Sequence, residues 1–141
     1  MDFLITTLSL NPNEVTAVLG IQPDKFAMRG DERRNHAGGL LSPHEEGLWL
    51  LSSRGKVQGD LPSKDINEHL LFLLNVLLPH RENILSFAEG GETYFDVLWE
   101  SSYLYSGTGP VISRECIEGM AQLNAGVGFD IYQIEGMESE E

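Results

Sequence analysis

The chain has little of what usually announces a chemistry. Its 141 residues include one cysteine, Cys116, so no internal disulfide can form and a reducing cytoplasm is the expected setting. Only nine side chains are lysine or arginine. The formal charge is -13, which disfavours contact with phosphate backbones and argues against a nucleic-acid binder. The longest apolar stretch, Leu70 to Leu78, is broken by Asn75 and ended by Pro79, far short of the roughly 20 residues that span a bilayer. The chain begins Met1-Asp2-Phe3 with no basic residue before the apolar stretch, so no signal peptide is expected. Neither a Gly-x-Ser-x-Gly elbow nor a Lys-Ser/Thr phosphate loop occurs.

Metal ligation and nucleophilic catalysis are equally poorly supplied. His36, His44, His69 and His80 form no i, i+4 pair, and no Cys-x-x-Cys hook exists, so no structural zinc site is expected. The hard donors of "HEEG" (44–47) are two adjacent carboxylates, a poor metal site. His69 falls at a face boundary of a predicted helix and reads as structural. Cys116 lies near a helix start, yet its spacing to Met120 and Leu123 marks a core position. The expectation is therefore no catalytic residue, no metal and no cofactor.

What is present suits one soluble globular domain over residues 1–134, followed by an acidic tail at 135–141 that is expected to be disordered. Charge is unevenly placed. Residues 1–81 carry a net -2, whereas residues 82–141 hold twelve acidic side chains and one basic, Arg114. An acidic region of this kind attracts a basic partner and speeds the encounter.

Patterning predicts the elements. "DFLITTLSL" (2–10) has apolar residues on both faces, as a central strand does. Asn11, Pro12 and Glu14 form a capping signal for a short helix with Val15, Val18 and Leu19 inward and Gly20 as its stop. Phe26 and Met28 suggest a short strand, and 29–39 a loop. "GLWLLSS" (47–53) predicts a strand with Trp49 and Leu51 on one face. Asp65 opens a helix over 65–78 with Ile66, Leu70, Leu73, Leu74 and Leu77 inward, stopped or kinked by Pro79. A short helix follows in "HRENILSFAEGG". "ETYFDVLWES" alternates cleanly as a half-buried strand. Ser113 caps a helix over 114–125 with Cys116, Ile117, Met120 and Leu123 inward, and "FDIYQI" (129–134) is the last strand. Trp49, Trp99, Phe95 and Tyr132 are expected to pack together across the sheet. The order predicts an α+β fold, a mixed or antiparallel sheet with helices on one face, as in a ferredoxin-like variant.

"LGIQP" (19–23), Gly30, "GLWLLSS" with Trp49, "HLLFLLNVLLP" (69–79) and "FDIY" (129–132) occur together in an order that resembles the bacterial domain-of-unknown-function family forty-two seventy-nine, over about residues 2–134. The resemblance implies a bacterial, stand-alone small domain and supplies no catalytic residues. In size and charge the chain is similar to immunity proteins of toxin systems, an analogy only.

Two site readings follow. In the first, an acidic face formed by Glu92, Tyr94, Asp96, Glu100, Tyr103 and Tyr105 docks a basic protein, as an immunity-type factor would. In the second, Arg29, Arg33 and Arg34 beside Trp49 bind a small anionic ligand. An uncovered sheet edge would also allow a homodimer.

Overall fold

The computed structural model describes residues 1–57, 65–101 and 109–133. The elements run β1 (Asp2–Thr7), α1 (Pro12–Leu19), β2 (Lys25–Ala27), β3 (Arg33–Arg34), β4 (Leu40–Leu41), β5 (Gly47–Ser52), α2 (Ile66–Leu77), a 3-10 turn (Leu78–His80), α3 (Arg81–Phe87), β6 (Glu92–Ser101), α4 (Arg114–Gln122) and β7 (Ala125–Gln133). Five strands form one sheet in the order β2-β5-β1-β6-β7, and β3 with β4 makes a separate small hairpin. β1 is antiparallel to both its neighbours, while β6 and β7 are parallel. The fold is α+β with a mixed sheet, and the parallel pair departs from the wholly antiparallel ferredoxin-like arrangement.

Helix starts follow the predicted chemistry. Asn11 and Asp65 each accept a backbone N–H in the first turn of α1 and α2, and Ser113 accepts the Cys116 N–H at α4. These bonds satisfy amides that the helix itself leaves unpaired. Gly20 ends α1 in the left-handed region at φ 68°, where glycine alone carries no steric penalty.

Alternation divides the sheet. Phe3 and Ile5 of β1, Trp49 and Leu51 of β5, and Phe95 and Val97 of β6 face one side, where α2 contributes Leu70, Leu73, Leu74 and Leu77 and α4 contributes Cys116 and Met120. Each such buried side chain is worth about 1.5–3 kcal/mol. Gly119 of α4 lies so close to α2 that an added Cβ would stand 2.7 Å from Leu74 Cδ1. Among the described residues no helix is long and apolar enough to cross a membrane.

Several expectations need correction. β1 ends at Thr7, leaving Leu8 exposed in a turn, though Leu10 is buried. Val18 and Ile117, expected inward, are each 52% exposed. The i, i+4 pairs Val15–Leu19 and Cys116–Met120 already fill the narrow buried face of these short helices, which puts Val18 and Ile117 on a flank. In β2 the buried residue is Ala27, whereas Phe26 and Met28 are exposed along the sheet edge. The stretch 29–39 holds a hairpin arm, not only loop. β7 starts at Ala125, because pairing with β6 draws Gly126 and Gly128 into a ladder that their own propensity disfavours.

The expected aromatic cluster is also rearranged. Phe95 stacks on Phe3 with ring centroids 5.2 Å apart. Trp49 is wholly buried opposite Ile5, Trp99 is half-buried opposite Ile131, and Tyr132 lies exposed on the other face. The expected tail at 135–141 lies outside the described residues.

Candidate functional site

Among the described residues no helix packs on the second face of the sheet. Its centre is Leu4, which sits opposite Leu50 on β5 and Tyr94 on β6 and is 8% exposed. Leu48 and Thr6 extend this apolar floor towards one end. Towards the other end the register places Asp2 opposite Asp96, and β7 sets Asp130 opposite Leu98, one side-chain step from Asp96. This sets the Asp130 carboxyl close enough to Asp96 to disfavour its ionisation.

Glycine shapes the surface beside these groups. Gly126 is paired with Tyr94 and Gly128 with Asp96, and space for a Cβ at either is open. β7 therefore puts no side chain in register beside Tyr94 or Asp96, and Asp130 reaches towards Asp96 from the next position on that face. Bare strand of this kind admits close approach by another molecule.

The electrostatics record the crowding. Partial burial and then the neighbouring carboxyls of Asp130 and Asp2 push the Asp96 carboxyl above its ordinary range, and the Met1 amine offsets part of this. Partial burial and then Asp96, Glu92, Glu46 and Asp130 push the Tyr94 phenol up as well. Lys25 lies at the opposite edge of the same face. By contrast, Asp24 is paired with Lys56 at 2.8 Å and accepts the Ser52 N–H at 2.7 Å. Burial alone would raise the Asp24 carboxyl, but these bonds outweigh it and hold the group low.

Of the residues expected in the acidic face, Glu92, Tyr94 and Asp96 come together here. Glu100 is in register opposite Tyr132. Tyr103 and Tyr105 lie outside the described residues. Sequence reasoning missed Asp130, Asp2 and Glu46. The "FDIY" strand was legible, yet nothing in it told that Asp130 would lie beside β6.

The arginines behave differently. Arg34 bonds Glu32 at 2.6 Å and the Gly38 carbonyl at 2.7 Å, and Arg33 bonds the Ser42 carbonyl at 3.1 Å. Both guanidinium groups are thus engaged within their own hairpin, and Arg29 is exposed in the preceding turn. Trp49 lies on the helix side of the sheet with no exposed surface, its indole N–H donating to Thr16 Oγ1 at 3.1 Å. A ligand held by these arginines would find no open Trp49 face to stack on.

Other polar groups serve the fold. Ser53 Oγ lies 2.6 Å from His69 Nδ1 and 3.2 Å from the Met1 carbonyl, and Ser53 is wholly buried. That hydroxyl ties α2 to the start of β1. Cys116 is buried, and among the described residues no three acidic, histidine or cysteine side chains could share a metal ion. An open depression of about 380 Å³ lies between the β1–α1 turn and the end of α3, lined in part by Thr7, Asn11, Glu14, Ser86 and Glu89. Its two carboxylates face no basic side chain in the lining.

No curated protein and no solved structure shows significant similarity to the chain. The model of one protein family, described as a domain of unknown function (DUF4279), matches residues 1–134, and the chain belongs to that family.

Proposed function

We propose that the chain is a non-enzymatic binding protein whose helix-free sheet face docks a basic protein, in the manner of an immunity factor that neutralises a toxin. The observation that carries this reading is the convergence of Asp2, Glu92, Asp96 and Asp130 around the Leu4–Leu50–Tyr94 floor. An apolar and aromatic centre with a charged rim is the anatomy of a protein-binding patch. The acidic groups repel one another when the protein is alone, and lysine or arginine from a partner relieves that repulsion. The lone, buried Cys116 fits a reducing bacterial cytoplasm, where we place the chain.

Calorimetry with basic proteins encoded beside its gene tests the reading, using the wild-type chain and an Asp96→Asn/Asp130→Asn variant at two ionic strengths. Binding that weakens at least about tenfold in the variant and again in high salt is expected, since each exposed charge contact is screened. Equal affinity for wild type and variant, or affinity indifferent to salt, would refute it.

A further inference from the structure

β7 ends the sheet, and among the described residues no strand lies along its outer edge. It is nine residues long and reads AGVGFDIYQ, with Asp130 its single charge. Edges of this length are ordinarily blunted by lysine, proline or a bulge, because their free N–H and C=O groups invite another strand. β7 has neither lysine nor proline.

The two sides of that edge differ chemically. Val127, Phe129 and Ile131 share the helix-side face of the sheet and remain exposed, Ile131 at 68%. Asp130 stands on the opposite face, the same face as Asp96 and one side-chain step further along it. Pairing of β1 with β6 stops at Asp96, so, among the described residues, 97–101 and 129–133 continue as a parallel two-stranded ribbon. Its β6 side is covered on the helix face, where Val97 joins the core, whereas Ile131 on β7 stays exposed.

From this placement we infer that the outer edge of β7 receives an extended, alternately apolar and basic segment of the partner protein as a sixth strand. The inference rests on the acidic-face reading and specifies how the partner docks. Side chains alternate across a strand. One set from the incoming segment meets Val127, Phe129 and Ile131 and must be apolar. The other set meets Asp130 and Asp96 and must be lysine or arginine. Main-chain bonds give affinity, and the alternate side chains give specificity. A second copy of the chain fits poorly, because each carries -13 and pairing β7 with β7 would bring two Asp130–Asp96 pairs to one ladder.

The test is fluorescence anisotropy of the full chain with a labelled peptide of alternating valine and lysine, as long as β7. Of two comparison peptides, one replaces the central valine with proline, and one keeps the composition but gathers its lysines in a block. Two variants carry the same added charge: Ile131→Lys on the edge, and Val18→Lys on the exposed flank of α1. The alternating peptide should bind at low salt, and the proline and block peptides at least about tenfold more weakly. Ile131→Lys should weaken binding by about tenfold or more, and Val18→Lys by much less. In the wild-type chain, amide exchange in β7 should slow on binding, a readout that needs no variant. Equal binding of all three peptides, equal loss in both variants, or unchanged exchange in β7 would overturn the strand-addition mode. If a basic peptide still binds with dependence on Asp96 and Asp130, the acidic-face reading survives that result. If no basic peptide binds even at low salt, both fall.

Discussion

Neutralising Asp96 should stabilise the protein while weakening its binding. Asp96 lies between Asp2 on β1 and the Gly128–Asp130 segment of β7, with the Met1 amine as a nearby counter-charge. Its carboxyl is raised above the ordinary value of 3.8, so the folded chain holds that proton more tightly than the unfolded chain does. The linkage sign follows: stability at this site is greatest below the ordinary value and falls as pH rises through the raised one. Near neutrality the site therefore costs stability. The group is partly solvated, so each like-charge contact is worth only about 0.3–1 kcal/mol. With two acidic neighbours and a partial offset from Met1, Asp96→Asn should gain about 0.5–1 kcal/mol near neutral pH. For a domain of this size that raises Tm by about 2–4 °C. Asparagine matches aspartate in size and can donate to a neighbouring carboxylate, so the fold is kept. Thermal melts by circular dichroism at about pH 7.5 and about pH 3 give the check, since below the ordinary aspartate value wild-type Asp96 is itself protonated and the gain should vanish. High salt should shrink it. A lower Tm for Asp96→Asn near neutrality, or an equal gain at both pH values, would refute the reasoning. A residue whose removal stabilises the fold but costs affinity is a residue retained for binding.

Three further outcomes follow from the packing. Asp24→Asn should destabilise above the ordinary aspartate range and become neutral in acid, the reverse slope to Asp96, because Lys56 and the Ser52 N–H hold that carboxyl low; melts across pH show it. Trp49→Phe should cost about 1.5–3 kcal/mol in urea unfolding, from the lost bond to Thr16 and the space left in the core; a cost under about 0.5 kcal/mol would mean the indole is not packed as described. Gly91→Ala should cost at least about 2 kcal/mol in the same assay, since an added Cβ would overlap the Thr6 carbonyl oxygen, which belongs to the central strand and cannot move aside.

The local grammar of the chain was readable without a fold. Asn11, Asp65 and Ser113 cap the three helices they were expected to cap, because capping is settled by a side chain reaching an amide two or three residues away. The alternation of Glu92 to Glu100 and the five inward residues of α2 follow from period alone. Val18 and Ile117 were misplaced because apolar character does not reveal how wide a buried face its neighbours leave.

Composition likewise located the acidity in the second half of the chain. Tertiary pairing decided everything that depends on which strand lies beside which. Asp2, Asp96 and Asp130 are far apart in sequence, and only the β1–β6–β7 order brings them to one face. The same order buried Trp49, engaged Arg33 and Arg34 away from it, and left β7 at the edge. Periodicity assigns a side chain to one of two faces of its own strand. It carries no record of the neighbouring strand, since that choice is made by burial of the whole apolar surface at once.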